Sequence, residues 1–146
     1  MQDLDQIAGE LVVAAARVVR AGRRAVSQPT GVRVLSILDE LGEQSITQLA
    51  EADLSSQPAV SGTVSTLIDN GWVSKHTDPH DARRSVIALT DAGRRTLAEF
   101  RRELGRALAD RLRAQDTYDA TDVEHAVAVL RTVLDIDPLH AQKGTP

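Results

Sequence analysis

The sequence of 146 residues contains no cysteine, and this absence excludes several functions at once. Without thiols the chain can form no disulfide, no thiolate metal site and no thiol-based redox sensor. Aromatic side chains are also scarce, because Trp72, Phe100 and Tyr118 are the only ones. A hydrophobic content of 42% still allows a folded core, which must therefore be mainly aliphatic.

Long apolar runs are absent as well. No stretch of the sequence approaches the roughly 20 apolar residues that are needed to span a bilayer. At the N-terminus, Asp3 and Asp5 stand where a signal peptide would be basic. We therefore expect a cytoplasmic protein with no membrane partner.

The net charge of −4 argues against indiscriminate binding to polyanions, but the charges are unevenly distributed. Residues 31–53 carry one basic residue against five acids, and residues 114–146 carry two against six. The rest of the chain is therefore basic, and it contains the pairs Arg83-Arg84, Arg94-Arg95 and Arg101-Arg102. We expect Arg101-Arg102 to lie on a solvated helix face, whereas Arg83-Arg84 falls in a predicted loop.

The chain is organised around a predicted helix at residues 56–70. Ser56 is a good N-cap, and Asn70-Gly71 is typical of a helix end. One face carries an apolar stripe at helical spacing, made of Val60, Val64, Leu67 and Ile68. The opposite face is small or polar and includes Pro58, Gly62, Ser65, Thr66 and Asp69.

Two short predicted strands follow this helix, at residues 72–75 and 85–89, with a polar loop at 78–84. A helix followed by a two-stranded ribbon with a basic tip is typical of a winged helix. Such a helix fits a DNA major groove, and the tip can reach a neighbouring minor groove.

The first predicted helix, from residue 2 to about 27, repeats Leu4, Leu11 and Val18 every seven residues. This narrow stripe is consistent with packing against a helix of a second subunit. An ordinary amphipathic helix within one subunit explains the pattern equally well, and both alternatives remain open at this point.

Capping signals predict the remaining helices. Thr30 is expected to cap a helix at residues 31–42, and Thr90 is expected to cap a helix that begins at about residue 91. The buried side chains of the helix at 31–42 are expected to be Val34, Leu35, Leu38 and Leu41. A short helix to about Ala52, opened by a capping box at Ser45–Gln48, gives helix-turn-helix spacing before Ser56. A second box, Thr121–Glu124, is expected to open a last helix that ends before Pro138.

The expected fold is therefore mainly α, a winged helix-turn-helix in the order α–α–α–α–β–β–α–α. We expect an N-terminal dimerisation helix at 1–29 and C-terminal linker and dimerisation helices at 91–137. The predicted DNA-binding region is 30–90, with the recognition helix at 56–70 and the wing at 72–89. Residues 138–146 are expected to form a flexible tail.

The stretch Ile46–Leu97 resembles the MarR family of bacterial winged-helix regulators, and the flanking helices agree in order and length only. The most specific pattern is Asp81-Ala82-Arg83-Arg84 followed by Leu89-Thr90-Asp91-Ala92-Gly93, because plain helix-turn-helix domains lack it. The other matching positions are Leu49-Ala50, Ser56-Gln57-Pro58-Ala59-Val60-Ser61, Leu67, Gly71, Val73, Asp78-Pro79-His80 and Arg94.

The resemblance implies an obligate homodimer with interlocked terminal helices, a palindromic operator in double-stranded DNA, and repression that a small-molecule effector relieves. We expect the dimer interface to include Leu4, Ile7, Leu11, Val127, Leu130 and Leu134. We expect DNA contacts from Ser56, Gln57, Ala59, Ser61, Gly62 and Ser65 of the recognition helix. In the wing, Arg83 is expected to enter the minor groove, Arg84 to contact phosphate, and Asp81 to hold the loop in shape by pairing with an arginine.

One position departs from the family pattern. Gly62 stands where the family often has arginine, and arginine bidentate to guanine is the commonest specific base contact. Either the helix backbone approaches DNA closely at Gly62, or this protein reads its site more weakly.

Three functions compete at this stage. A sequence-specific DNA-binding repressor is favoured, because the adjacent wing arginines have no purpose in the alternative, a winged-helix protein-interaction module without specific DNA binding. A small-molecule buffer or carrier is the third. We expect no enzyme, since no Ser-His-Asp set or Gly-rich phosphate loop occurs, and no metal or other cofactor, since the four histidines are scattered.

Overall fold

The computed structural model describes residues 3–135, which form six helices and two strands in the predicted order. The chain divides into two compact units, and the boundary falls after Ala107, inside the fifth helix. None of the described helices is long and apolar enough to cross a membrane. The elements are α1 (Leu4–Ala25), α2 (Val32–Leu41), α3 (Ile46–Asp53), α4 (Gln57–Asp69), β1 (Val73–Asp78), β2 (Asp81–Leu89), α5 (Asp91–Gln115) and α6 (Ala120–Asp135).

Three of the predicted caps are confirmed. At the start of α3, Ser45 Oγ accepts a hydrogen bond from the Gln48 backbone N–H (3.2 Å), and Gln48 Oε1 accepts one from the Ser45 N–H (3.0 Å). Ser56 Oγ accepts from the Ala59 N–H (3.3 Å) at the start of α4. At the start of α5, Thr90 Oγ1 accepts from the Gly93 N–H (3.1 Å). Each bond satisfies a backbone donor that the first helical turn leaves without a partner.

Two predicted caps are wrong. The N-cap of α2 is Gly31 rather than Thr30, and it has no capping side chain. Its φ of 70° is left-handed, and a Cβ there would lie 2.9 Å from side chains of α4, so the close passage of the chain selects glycine. The reciprocal box before α6 joins Asp119 and Asp122, at 3.0 and 3.1 Å, and not Thr121 and Glu124. Pro138 and the predicted tail lie outside the described residues.

The wing is longer and its turn is tighter than predicted. β1 and β2 are antiparallel and pair regularly from Val73↔Leu89 to Thr77↔Ser85, and then Asp78 pairs with Asp81. Residues 82–84 are consequently left without partners on β1, as a bulge in β2. The arginine pair Arg83-Arg84 therefore lies in a strand and not in a loop, because the ladder closes on a turn of only two residues, 79–80.

The core of the first unit lies between the helix-turn-helix and the base of the wing. It is aliphatic apart from Phe100, as the composition predicts. Two side chains that were expected in it are exposed, Leu41 (43%) and Ile68 (38%), because each stands at the last turn of its helix, at the edge of the packed face. Its buried residues are Val32, Val34, Leu35, Leu38, Leu49, Ala50, Val60, Val64, Leu67, Val73, Ile87, Leu89, Leu97 and Phe100.

Polar contacts fasten the edges of this core. The wing gains a third backbone partner at Gln44, whose N–H and C=O both bond to Ile87, at 3.1 and 2.8 Å. Arg101 on α5 forms an ion pair with Asp39 on α2 at 2.7 Å. Arg101 and Arg102 both lie on an exposed helix face, as expected.

The Leu-Thr-x-x-Gly pattern has a packing explanation. Thr90 joins the wing to α5, because its backbone N–H donates to the Trp72 carbonyl (3.0 Å) and its hydroxyl donates to the Gly71 carbonyl (2.7 Å). Gly93, one turn into α5, lies directly against that Trp72 carbonyl. A Cβ at Gly93 would stand 2.1 Å from the carbonyl oxygen, so only glycine fits.

Candidate nucleic-acid interface

The N-terminal part of α4 presents an exposed polar face. Val60, Val64 and Leu67 anchor the helix in the core, and this fixes the orientation of the other side. Three hydroxyls on the helix donate back to the carbonyl four residues earlier, Thr63 to Ala59 (3.1 Å), Ser65 to Ser61 (3.1 Å) and Thr66 to Gly62 (3.3 Å). Their lone pairs remain available as acceptors. All six predicted contact residues of α4 are exposed together here, namely Ser56, Gln57, Ala59, Ser61, Gly62 and Ser65.

Two aspartates shape the tip of the wing by accepting backbone hydrogen bonds. Asp78 Oδ1 accepts from the His80 N–H at 2.9 Å, and Asp81 Oδ1 accepts from the Arg83 N–H at 3.0 Å. The expectation that Asp81 pairs with an arginine side chain is wrong, because a backbone donor two residues on is closer to its short side chain. The carboxylate that faces an arginine is Asp78, whose Oδ2 lies 4.0 Å from Arg84 Nε.

The two wing arginines have different surroundings. The Arg83 guanidinium is exposed and makes no hydrogen bond or ion pair with any other residue in 3–135. In contrast, an Arg84 N–H donates to Ser45 Oγ at 3.1 Å, across to the start of α3. An exposed guanidinium near the tip of a wing can reach a nucleic-acid groove, whereas the Arg84 guanidinium already bonds to Ser45.

This arrangement of helix-turn-helix and wing agrees with the comparison with known protein families. The model of the MarR family matches residues 28–85, from the loop before α2 into β2. This part of the chain is therefore similar to the MarR family. MarR-family proteins are transcriptional regulators that bind DNA. No curated protein matches the chain significantly.

Solved structures share the fold over nearly the whole chain. A MarR family protein from Bacillus stearothermophilus is 20% identical, with a TM-score of 0.68 and coverage of 92% of this chain and 97% of that one. The regulator BldR from Sulfolobus solfataricus is 23% identical, with a TM-score of 0.62 and coverage of 92% and 99%. BpsR from Bordetella bronchiseptica is 22% identical, with a TM-score of 0.56 and coverage of 88% and 98%.

Gly62 is the position at which α4 departs from the pattern that is common in the MarR family. A Cβ built on Gly62 meets nothing within 4 Å, so no packing within the described chain requires glycine. Glycine inside a helix costs about 1 kcal/mol relative to alanine. Packing within the described chain therefore gives no reason for glycine on this exposed face of α4.

We expect Gly62→Ala to raise the free energy of unfolding by up to about 1 kcal/mol, and Gly62→Arg to strengthen or re-specify DNA binding. Thermal unfolding and operator titration of the two variants test this. If Gly62→Ala is more stable but no longer binds DNA, the backbone must approach the DNA closely at this point.

The predicted dimer positions are uncovered in the described chain. No residue of α1 is buried; Leu4 and Ile7 are exposed, and Leu11 is half-buried. In the second unit, Val127, Leu130 and Leu134 of α6 are likewise exposed. The sequence located these residues on helices, and all of them except the half-buried Leu11 are exposed in the described chain.

Within residues 3–135 there is no group of three or more histidine, aspartate or glutamate side chains that could hold a metal ion. His76 lies 3.1 Å from Glu43 as an isolated pair, and His140 falls outside the described residues.

The sequence interpretation missed two residues of this site, Ser45 and Asp78. Ser45 was recognised as a cap, but its contact with a residue 39 positions away has no local signal. Asp78 was part of the wing pattern, and its position at the end of a predicted strand, beside a proline, was a usable sign of a turn-forming aspartate.

Proposed function

We propose that this chain is a sequence-specific transcriptional regulator that binds a palindromic operator as a homodimer and is released by a small-molecule effector. The observation that carries the proposal is the exposed polar face of α4 on the same winged helix as Arg83, whose guanidinium has no partner among residues 3–135. A helix anchored by one face and polar on the other is the form in which major-groove readers present side chains to base edges.

The proposed roles follow from position. The six predicted contact residues of α4 and its N-cap lie in the major groove, where Gln57 supplies both an amide donor and a carbonyl acceptor. Arg83 enters the flanking minor groove, since narrow A·T tracts attract an unpaired guanidinium. A guanidinium has five N–H donors, so Arg84 can hold Ser45 and still offer donors to a phosphate.

The acidic overall charge is compatible with this role. The acids that outnumber bases at residues 31–53 include Asp39 and Asp53, each of which is engaged by an arginine, Arg101 and Arg33, at 2.7 Å. The wing arginines Arg83 and Arg84 remain exposed, and a local basic site is sufficient to steer DNA to α4.

We expect a homodimer at micromolar concentration. The apolar side chains of α1 and α6 are exposed in one chain, and large exposed apolar patches usually mark an interface. Multi-angle light scattering should give twice the chain mass of 15.7 kDa. A mass of one chain throughout the micromolar range would contradict the dimer.

Effector control is supported by one relative and by one feature of the second unit. In BpsR, 6-hydroxynicotinic acid regulates DNA binding. Between the end of α5 and α6, this chain has an open, mostly apolar crevice of about 450 Å³ that could accept a small molecule. It is lined by Leu108, Leu112, Tyr118, Asp122, Val123 and Ala126.

An electrophoretic shift assay tests the proposed function against the interaction-module alternative. The DNA upstream of the protein's own gene is titrated with and without excess heparin. A regulator should retain a discrete shifted band in heparin, because base contacts resist a polyanion that competes only for phosphate contacts. Loss of every shift at low heparin, for all upstream sequences, would favour the interaction module.

A further inference from the structure

The tip of the wing lacks the backbone support that the base has. Residues 82–84 have no partners on β1, whereas Ile87 near the base pairs in register with Lys75 of β1 and bonds to Gln44 through both its N–H and its C=O. A two-stranded ribbon is only marginally stable by itself. Side-chain bonds must therefore hold the tip in place.

Arg84 supplies such a bond. Its guanidinium donates to Ser45 Oγ at 3.1 Å, and its Nε lies 4.0 Å from the Asp78 carboxylate, which also accepts the His80 N–H of the turn. Ser45 is only 8% exposed, while the Arg84 side chain is 43% exposed. The bond thus runs from the surface of the wing to a buried hydroxyl that already caps α3.

The position of Ser45 is itself fixed by other hydrogen bonds. Its hydroxyl accepts the Gln48 N–H in the capping box, and its neighbour Gln44 is bonded to the base of β2. A donor that carries a charge makes a stronger hydrogen bond than a neutral one. The contact can therefore transmit the position of α3 to the bulge that contains Arg83.

We propose that Arg84 is a positioning residue, which fixes the tip of the wing to the start of α3 through Ser45 and thereby sets the direction of Arg83. The consequence for DNA recognition rests on the proposed function. The mechanical part does not, because it concerns the free protein.

Amide hydrogen exchange on the free protein tests the mechanical part. We compare the wild type with Arg84→Ala, Ser45→Gly and the double variant; glycine is an acceptable N-cap, so Ser45→Gly removes the hydroxyl at little cost to α3. Exchange of the His80 and Arg83 amides should rise about tenfold in each single variant, the factor expected from losing one charge-assisted hydrogen bond, and no further in the double variant.

Ser56→Gly is the matched control for exchange, since it makes the same change at the N-cap of α4, where the hydroxyl bonds to Ala59 and not to Arg84. It should leave the exchange of both wing amides at the wild-type rate. The proposal would be overturned if the wing amides exchanged at the wild-type rate in Arg84→Ala and Ser45→Gly. It would also be overturned if the double variant exchanged faster than either single variant, by the product of their two factors.

Operator affinity tests the consequence for recognition. Ser45→Gly changes no charge, yet it should weaken operator binding about fivefold and reduce the preference for A·T flanks, and it should do neither in an Arg84→Ala background. The opposite result is that Ser45→Gly binds the operator with wild-type affinity, while Arg84→Ala only lowers the salt dependence of the binding constant by about one unit. Arg84 would then be a simple phosphate contact, and the proposal would be overturned. If the wild type binds no operator, the proposed function fails, and the exchange rates still decide the role of Arg84.

Discussion

Replacing Gly93 with alanine should destabilise the protein by roughly 3 kcal/mol or more, at the upper end of the cost of overpacking a core. The added Cβ would stand 2.1 Å from the Trp72 carbonyl oxygen, and that carbonyl is itself bonded to the Thr90 N–H. Neither the Trp72 carbonyl nor the backbone of α5 at residue 93 can move away without breaking the hydrogen bonds that join the wing to α5. The helix propensity gained by alanine, about 1 kcal/mol, is too small to offset this.

Gly105→Ala is the matched control, because Gly105 lies in the same helix and a Cβ there meets nothing within 4 Å. This variant should be as stable as the wild type or up to about 1 kcal/mol more stable. Urea unfolding of both variants at one protein concentration makes the comparison. Equal midpoints for Gly93→Ala and Gly105→Ala would show that the Trp72 contact does not constrain α5.

Replacing Arg83 with alanine is expected to weaken operator binding by about 1–3 kcal/mol, the usual value of one specific contact, and to erase a preference for A·T pairs beside each half-site. The reason is that Arg83 has no partner among residues 3–135, so its loss leaves the protein's own fold intact. Titrating operators with A·T or G·C flanks measures both effects. Retention of the A·T preference in Arg83→Ala would contradict the assignment.

Asp81→Ala separates a shaped wing from a purely electrostatic one. The variant removes a negative charge but also the acceptor of the Arg83 N–H at 3.0 Å, which holds the bulge in shape. We expect weaker operator binding at both low and high salt, because the misplaced arginine outweighs the charge gained. Tighter binding at both salt concentrations would show that the wing acts through charge alone.

Local signals in the sequence predicted most of the fold. The caps at Ser45, Ser56 and Thr90 were predictable because a capping side chain bonds to a backbone N–H only three residues away. The polar face of α4 was predictable for a similar reason, since helical periodicity separates Val60 and Val64 from their neighbours without knowledge of what they pack against.

Contacts between distant parts of the chain were not predictable in this way. Thr30 and Gly31 have similar N-cap propensities, and only the approach of α4 explains why the cap falls on glycine. The bond from Arg84 to Ser45 likewise depends on a bulge that the alternation of residues in a strand does not reveal. At the candidate site, the sequence identified both arginines of the wing, but their different surroundings required the register of the ribbon.

Hydroxyl-radical footprinting of the wild-type protein on its operator tests the central claim most directly. Two recognition helices related by two-fold symmetry should protect two inverted half-sites about 10 base pairs apart on one face of the DNA. Flanking minor-groove protection should appear outside each half-site and disappear in Arg83→Ala. A single protected half-site without an inverted repeat, or flanking protection that persists in Arg83→Ala, would contradict a dimer that reads DNA through α4 and the wing.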